Sequence, residues 1–347
     1  MTPKTEKQLR IWYLSGAFLV FIILIVGGIT RLTQSGLSIT EWNPVMGVIP
    51  PLSEADWMSE FDKYRESPEY LQLNRGMSLE DFKFIYFWEY LHRVFARLIG
   101  IVFIVPFVWF WAKGKLDAVN KKRAFMLFGL GFLQGFLGWF MVMSGLNDVP
   151  YVSPYRLGMH LMLAFVIFGF CVWFALDVRK LNKRRIFGHG SLSKWLAGFS
   201  VVLWLQIFWG ALVAGQNAGY IYNTFPKMQD YWIPPESFQL QPVFINFFEN
   251  IVMVQFVHRF LGTLLLVIAG VLIWKTWFSK LQLSVKLKRW MGIMLSLLAV
   301  QYLTGVFTLL WRVPIWMGVW HQAWSMLLFG ALIVFWFYLR TDRKIPA

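Results

Sequence analysis

The chain has 347 residues, of which 58% are hydrophobic, 19% aromatic and only 15% charged. Because a soluble domain has about 25% charged residues, this composition excludes an ordinary soluble enzyme. The net charge of +15 at pH 7 does not indicate a nucleic-acid partner, because the basic residues collect in the links after alternate apolar runs, as membrane topology requires.

Apolar runs recur along the whole chain, each of about 20 residues, the length that a membrane-spanning helix requires. We predict an all-α polytopic membrane protein with eight transmembrane helices. The first run is too long for the apolar region of a signal peptide, and no small-residue cleavage site follows it. In chain order, the predicted spans are 11–29, 84–112, 124–144, 157–178, 195–214, 248–274, 290–311 and 315–338.

Lysine and arginine cluster before the first predicted helix and after the second, fourth, sixth and eighth. Since cytoplasmic loops of membrane proteins carry this excess, we expect both termini in the cytoplasm and the long loops outside. The short segment before the first helix has no transit-peptide features. We therefore expect a multi-pass protein of a bacterial cytoplasmic (inner) membrane, surrounded by membrane lipid.

The first four and the last four predicted helices repeat one pattern. In each half a long outer loop follows the first helix, a His-Arg pair opens the second, and another histidine opens the fourth. We expect two pseudo-symmetric four-helix bundles, residues 1–185 and 186–347, related by an axis along the membrane normal.

Four of the five histidines lie near the outer starts of the even-numbered helices, about two turns in. Ionisable residues at such positions are expensive and usually functional. Two imidazoles per bundle suit the axial positions of one haem iron, whereas zinc needs three or four ligands. A hydrogen-bonded packing role is the alternative. The four are His92, His160, His258 and His321; the fifth, His189, lies in a basic link, where we expect it to be solvated.

The residue four positions after each of these histidines is small. A small residue one turn along the same face leaves room for a flat macrocycle, although close helix packing favours small residues too. The four are Ala96, Ala164, Gly262 and Ser325.

Charged residues beside the histidines distinguish the two halves. Arg93 and Arg259 follow their histidines directly, where they either bind haem propionates or anchor a helix end at the interface. Glu89 lies three residues before His92, on the same helical face, while Gln255 holds that place in the second half. This difference predicts that both halves bind and one reacts; a role of Glu89 in orienting His92 is the alternative.

Longer motifs connect the chain with a known family. The first outer loop reads GGITRLTQSGLSITEWNPVMGVIPPLSEADW and leads to SPEYLQLN and FKFIYFWEYLHR; the second half contains YNTFPKMQDYWIP and MVQFVHRFLG. Together these closely resemble the haem A synthase family, in the branch shared by mitochondria and many Gram-negative bacteria. The resemblance covers nearly the whole chain.

The resemblance implies oxidation of a ring methyl of haem O to a formyl group, giving haem A for cytochrome oxidase. It implies the substrate haem between His92 and His160 and a haem b between His258 and His321, with Glu89 as the catalytic acidic residue. Another branch carries a cysteine pair in the first outer loop. Here the single cysteine, Cys171, lies in the fourth predicted helix, so a thiol relay is not expected.

Several points stay open at this level. Either an iron ligand leaves, or the methyl is oxidised by electron removal and water attack, with Glu89 stabilising charge or accepting a proton. Expected partners are a haem O synthase, cytochrome oxidase assembly factors and an electron partner of unknown identity, and a homo-oligomer is left open. The alternatives are a di-haem b-type membrane electron carrier exchanging electrons with quinone, which leaves the lone Glu89 unexplained, and a haem-free proton-coupled transporter.

Overall fold

The computed structural model describes residues 2–41, 48–147, 149–178 and 190–341. Over this part of the chain eight helices are long and apolar enough to cross a membrane, as predicted, and no strand is present. In chain order the α-helices are α1 (Pro3–Leu32), α2 (Glu54–Arg65), α3 (Pro68–Gln72), α4 (Leu79–Ala112), α5 (Ala118–Leu146), α6 (Pro154–Asp177), α7 (Gly190–Gly215), α8 (Asn246–Glu249), α9 (Ile251–Ile273), α10 (Val285–Leu310) and α11 (Ile315–Thr341).

The membrane-spanning helices are α1, α4, α5, α6, α7, α9, α10 and α11, of which α9 continues through a π-helical turn, Trp274–Phe278. Some predictions lie outside the described residues. They concern His189, which we expected to be solvated, and the boundary between the two halves at residues 185 and 186; residues 42–47 of the first outer loop are also not described.

Several membrane helices begin earlier than the apolar runs predict, because polar caps extend them. The Thr2 side chain accepts a hydrogen bond from the Thr5 N–H at the start of α1, and Ser78 accepts from Asp81 at the start of α4. These residues satisfy backbone donors that a helix start leaves free. The extension places His92 more than three turns after the start of α4, whereas the prediction was two; the other three histidines do lie about two turns in.

The first outer loop contains two helices that the sequence analysis did not predict. Helix α2 starts with a capping box between Ser53 and Asp56, and α3 follows it after Ser67. Phe61 and Tyr64 of α2 are buried in one apolar cluster with Phe82 of α4. The two helices, called the outer cap below, therefore cover the outer part of α4.

Helices α1, α6 and α11 form the centre of the protein, and α11 is the most buried of all. Helix α1 packs on α4, α6 and α11, while α6 also packs on α5, α7 and α11. Two reciprocal contacts join α6 to α11, because each helix receives a phenylalanine ring of the other at a glycine. A Cβ on Gly330 would lie 3.1 Å from the Phe168 ring, and a Cβ on Gly169 would lie 3.0 Å from the Phe329 ring.

The main buried core lies towards the ends of the helices that we predict to be cytoplasmic. It runs from Leu9 to Leu24 in α1 and resumes with Phe107 in α4, Phe165 in α6 and Met326 in α11. In every membrane helix that contains one of the four histidines, the histidine lies on the outer side of this core. The imidazoles therefore occupy the outer half of the membrane region, under the long loops.

The fold predicts where reporter tags will be found. An even number of spans puts both termini on one side, and the basic links predict that this side is the cytoplasm. We expect tags at both termini and near Lys183 to be cytoplasmic, and a tag near Ser67 in the outer cap to be periplasmic. Protease protection in spheroplasts and inverted vesicles measures this directly. A periplasmic C-terminus would overturn the orientation and the outer placement of the histidines.

Candidate functional site

Each of the four membrane histidines faces a glycine of the preceding membrane helix. A Cβ built on that glycine would lie between 2.7 and 3.1 Å from Cε1 of the imidazole, closer than carbon atoms pack at their optimal separation. Glycine therefore lets the edge of the ring rest on the helix backbone. The pairs are Gly27 with His92, Gly138 with His160, Gly210 with His258, and Gly305 with His321.

Three of the four imidazoles also contact a glutamine one turn before the glycine. The distances between the amide nitrogen and the imidazole Nε2 are 3.3 Å for Gln134–His160, 3.3 Å for Gln206–His258 and 3.4 Å for Gln301–His321. Because an amide nitrogen only donates, Nε2 accepts, and its lone pair points away from the ring. In α1 the equivalent position is Ile23, and among the described residues the His92 side chain makes no hydrogen bond.

His258 and His321 have the spacing that a single haem iron requires. Their ring centroids are 6.4 Å apart and the ring planes are at 82°. Two metal–imidazole bonds of about 2 Å, with the ring radius added on each side, separate the ring centres by roughly 6 Å. Nδ1 of His258 is buried without a hydrogen-bond partner, and Nδ1 of His321 lies 3.3 Å from the Thr304 hydroxyl oxygen. The pair fits a haem with two histidine ligands.

The first half offers a similar pair, His92 and His160. Nδ1 of each ring is buried without a hydrogen-bond partner in the part of the chain that the structure describes. Within the same residues no group of three or more His, Cys, Asp or Glu could hold a bare metal ion. Two-histidine ligation of haem is therefore the metal chemistry that these residues fit best.

Glu89 is a buried carboxylate that the first outer loop surrounds with donors. Glu89 is only 4% exposed to solvent. Oε2 accepts hydrogen bonds from the Ser38 hydroxyl at 2.8 Å and from the Ile39 N–H at 2.9 Å. Oε1 accepts from Nε and Nη2 of Arg93, at 3.1 and 2.6 Å. Ser38, Ile39 and Arg93 together satisfy both oxygens of this buried side chain.

Arg93 and Arg259 both hold an outer loop against the helix that carries them. Arg93 donates to the carbonyl oxygens of Ile39 and Glu41, both at 2.9 Å. Arg259 donates to those of Tyr222 at 2.6 Å and Thr224 at 2.8 Å. These contacts with loop backbone are a third role, beside the propionate binding and the interface anchoring that the sequence analysis considered. Propionate binding stays a prediction, which the buried and unpartnered Nε–H of Arg259 favours.

Gln255 occupies in α9 the place of Glu89 in α4. It is buried, and its amide nitrogen donates to the Tyr222 carbonyl oxygen at 3.2 Å. Arg259 donates to the same oxygen. In both halves, therefore, an outer loop is hydrogen-bonded to two residues of the helix: the one three positions before the histidine and the one directly after it. The difference is charge, because Glu89 pairs with its arginine and a neutral amide cannot.

The sequence analysis missed the partners of the histidines. A glutamine followed four residues later by a glycine recurs in α5, α7 and α10, and this repeat is visible in the sequence. The sequence does not show that these residues contact the histidines, because that depends on which helices are neighbours. Ser38 carried no signal at all. Of the small residues predicted to make room for a macrocycle, Gly262 faces the amide of Gln206, and Ser325 donates to the Gln322 carbonyl oxygen.

Comparisons with known proteins show the family of this chain. The family model described as "Cytochrome oxidase assembly protein" (COX15-CtaA) matches residues 10–333. A "Heme A synthase" of Parvibaculum lavamentivorans is 46% identical over 332 residues, 96% of this chain and 94% of the relative. Proteins of the same name from Flavobacterium psychrophilum and from the Wolbachia of Brugia malayi are 44% and 43% identical, covering 94% and 99% of this chain and 96% and 100% of their own length. The chain therefore belongs to the COX15-CtaA family of cytochrome oxidase assembly proteins.

Proposed function

We propose that this chain is a haem A synthase, which oxidises a ring methyl of haem O to a formyl group and so makes haem A for cytochrome oxidase. The family and the names of its relatives support this activity. The observation that carries it is the asymmetry between Glu89 and Gln255, which sit in matching frames of helix and loop while only one of them bears a charge.

The two halves take different haems in this proposal. Haem O, the substrate, lies between His92 and His160, on the side of the molecule that contains Glu89. A haem b between His258 and His321 supplies one-electron transfer when it is bound. Support for the second pair comes from its 6.4 Å ring separation and from the glycines that set both rings against a helix backbone.

Glu89 is the group that acts on the substrate. Its carboxylate accepts hydrogen bonds from Ser38, the Ile39 N–H and Arg93, and its position three residues before His92 puts it on the same helical face. An anion there stabilises positive charge that develops on the ring methyl, or takes a proton as the methyl is oxidised. The oxidation from methyl through alcohol to aldehyde requires this twice.

The cellular location and the partners in this proposal are inferred from the family and from the distribution of charged residues. We place the protein in a bacterial inner membrane with both termini in the cytoplasm, where the basic links lie. Haem O reaches it from the enzyme that attaches the alkyl chain to haem b. The product passes to cytochrome oxidase assembly, and an electron partner that the structure does not identify connects with the haem b half.

Glu89→Gln tests the catalytic assignment. The amide keeps the size of the side chain and can still accept from Ser38 and Ile39, but it loses the negative charge and nearly all basicity. We expect haem A formation to fall by about 100-fold or more, the scale of a lost general base, while both haems stay bound. Chromatography of extracted haems beside a visible spectrum measures both quantities.

The mirror variant Gln255→Glu is the matched control. It adds a carboxylate beside Arg259 in the same kind of frame, but the haem b there lacks the alkylated substrate, so no second product should form. Wild-type haem A output from Glu89→Gln would reduce Glu89 to a residue that only orients His92 and holds the outer loop.

Single histidine substitutions test which pair holds which haem. His258→Ala and His321→Ala should deplete haem b, because the iron loses an axial ligand. His92→Ala and His160→Ala should leave most haem b in place and stop product formation. Haem content by pyridine haemochrome spectroscopy and haem A yield are measured for each purified variant. Full haem content and activity in all four variants would remove the ligand assignment.

Gly305→Ala tests the contact between imidazole and backbone without touching a ligand. Its Cβ would lie 2.7 Å from Cε1 of His321, so the ring must move and we expect most of the haem b to be lost. The control is Gly292→Ala in the same helix, where nothing lies within 4 Å of the new Cβ. That variant should keep its haem and be neutral or more stable by about 0.5–1 kcal/mol. Equal haem content in the two variants contradicts the role of the contact.

A further inference from the structure

The second outer loop contains a segment in which the usual arrangement of polar and apolar residues is reversed. In residues 237–248, called the apolar loop below, the buried residues are polar. They are Asn246 and Ser237, whose hydroxyl has no hydrogen-bond partner among the described residues. No charged residue occurs in this segment. A loop surrounded by water has the opposite arrangement. The exposed apolar residues are Phe238, Leu240, Pro242, Val243, Phe244 and Phe247.

Two buried asparagines hold the apolar loop together from the inside. Oδ1 of Asn246 accepts from the Leu240 N–H at 2.9 Å, and its amide nitrogen donates to the carbonyl oxygens of Leu240 and Val243 at 2.8 and 2.9 Å. Asn250, which precedes α9, donates to the Glu236 carbonyl oxygen at 2.7 Å and to Oδ1 of Asn246 at 3.1 Å. Protein groups rather than water thus satisfy these backbone groups, which is what a segment in lipid requires.

The outer cap of the first half shows the ordinary arrangement for comparison. Phe61 and Tyr64 of α2 are 1% and 0% exposed, while the exposed residues of the same helix include Glu54, Asp62 and Arg65. This is the pattern of a segment with an apolar core on one side and water on the other. The outer loops of the two halves are therefore built for different surroundings.

Two hydrogen bonds fix the position of the apolar loop along α7. The Trp209 indole N–H donates to the Phe247 carbonyl oxygen at 3.1 Å, and the Gln216 amide nitrogen donates to the Phe248 carbonyl oxygen at 2.6 Å. Trp209 lies six residues before the last residue of α7, Gly215, which is about 9 Å along the helix axis. The loop therefore lies beside the last turns of a membrane helix and not beyond them.

This position falls within the hydrocarbon core of a membrane. Helix α7 has 26 residues and is about 39 Å long, whereas a hydrocarbon core is about 30 Å thick. With the excess shared between the two helix ends, Trp209 lies about 4–5 Å inside the core. The residue after it, Gly210, faces His258. Phe247 is therefore bound to the turn of α7 that also faces a histidine of the candidate site.

Acidic residues occur only at the two boundaries of the segment. The Tyr222 hydroxyl donates to Oε2 of Glu236 at 3.2 Å, and the Tyr155 hydroxyl donates to Oε1 of Glu249. Tyr155 is the second residue of α6 and so lies at its outer end. Charges at both ends and none between them are typical of a segment that enters and leaves the hydrocarbon, because charge is costly inside it.

We propose that the apolar loop is inserted into the outer leaflet of the bilayer, where its exposed face contacts the acyl chains of the lipids. The rings of Phe238 and Phe247, with centroids 6.5 Å apart, belong to this face together with Val243 and Phe244. The partner is lipid and not protein for three reasons. The asparagines satisfy the loop from inside, no charge is offered to a partner, and α7 holds the loop at hydrocarbon depth.

Spin labels test whether these side chains lie in lipid or in water. Val243→Cys and Phe244→Cys, at residues 48% and 65% exposed, are labelled with a nitroxide in a Cys171→Ala background, which removes the single native thiol. The full chain with its bound haem is reconstituted in vesicles of phosphatidylcholine and phosphatidylglycerol. Collisions with oxygen, which concentrates in hydrocarbon, are compared with collisions with a water-soluble nickel chelate. Haem content confirms that each variant has folded.

Two reference labels calibrate the measurement. Val267→Cys, at an exposed residue in the middle of α9, gives the ratio of oxygen to nickel collisions in lipid, and Asp62→Cys on the outer cap gives the ratio in water. Both loop labels should give a ratio closer to that of the Val267 site, and the Val243 site decides the matter if Phe244→Cys does not fold.

Two other outcomes overturn the insertion. A ratio like that of the Asp62 site means that the loop is in water. Labels that neither reagent reaches mean that protein covers the loop, either a second copy of the chain or another protein. Neither outcome affects the proposed function, because haem A formation is not part of the measurement.

Discussion

An imidazole ring resting on the backbone of a neighbouring helix is the contact on which the site depends. Each of the four membrane histidines meets a glycine of the preceding membrane helix, on which a Cβ would lie only 2.7 to 3.1 Å from the ring. Because the buried core fills the helices on the side of these rings that we predict to be cytoplasmic, the depth and orientation of the rings are set by the packing of the protein itself. Such preorganisation matters because a ligand displaced by an ångström binds poorly.

The second constraint is the burial of a charge. The buried side chain of Glu89 is surrounded by Ser38, the Ile39 N–H and Arg93, which compensate its burial. Removing one partner of such a buried ion pair costs about 3–5 kcal/mol, so the first outer loop is as much a part of the site as the helices. Gln255 does not need this compensation. Glu69 in the outer cap is a second buried acidic residue in the same half of the chain as Glu89.

The sequence predicts features that depend on neighbouring residues in the chain or that recur in both halves. Eight apolar runs define the membrane helices, and the repeat picks out four histidines and the contrast between Glu89 and Gln255. It does not predict the outer cap, because α2 and α3 are short and bury only part of one face. The ion pair of Arg93 with Glu89 is a spacing of four residues that could have been read, but its loop partners could not. The contact of Gly305 with His321 could not be predicted either, because it depends on which helix lies beside α10.

A structure of the protein with both haems bound tests the central claim, that both halves bind and one reacts, most directly. The quantity to measure is the distance from the Glu89 carboxylate to the nearest ring methyl of the alkylated haem. The account predicts that this haem lies between His92 and His160 with a methyl in contact with Glu89 and with haem b between His258 and His321. The alkylated haem between His258 and His321, or a methyl far from Glu89, would contradict it.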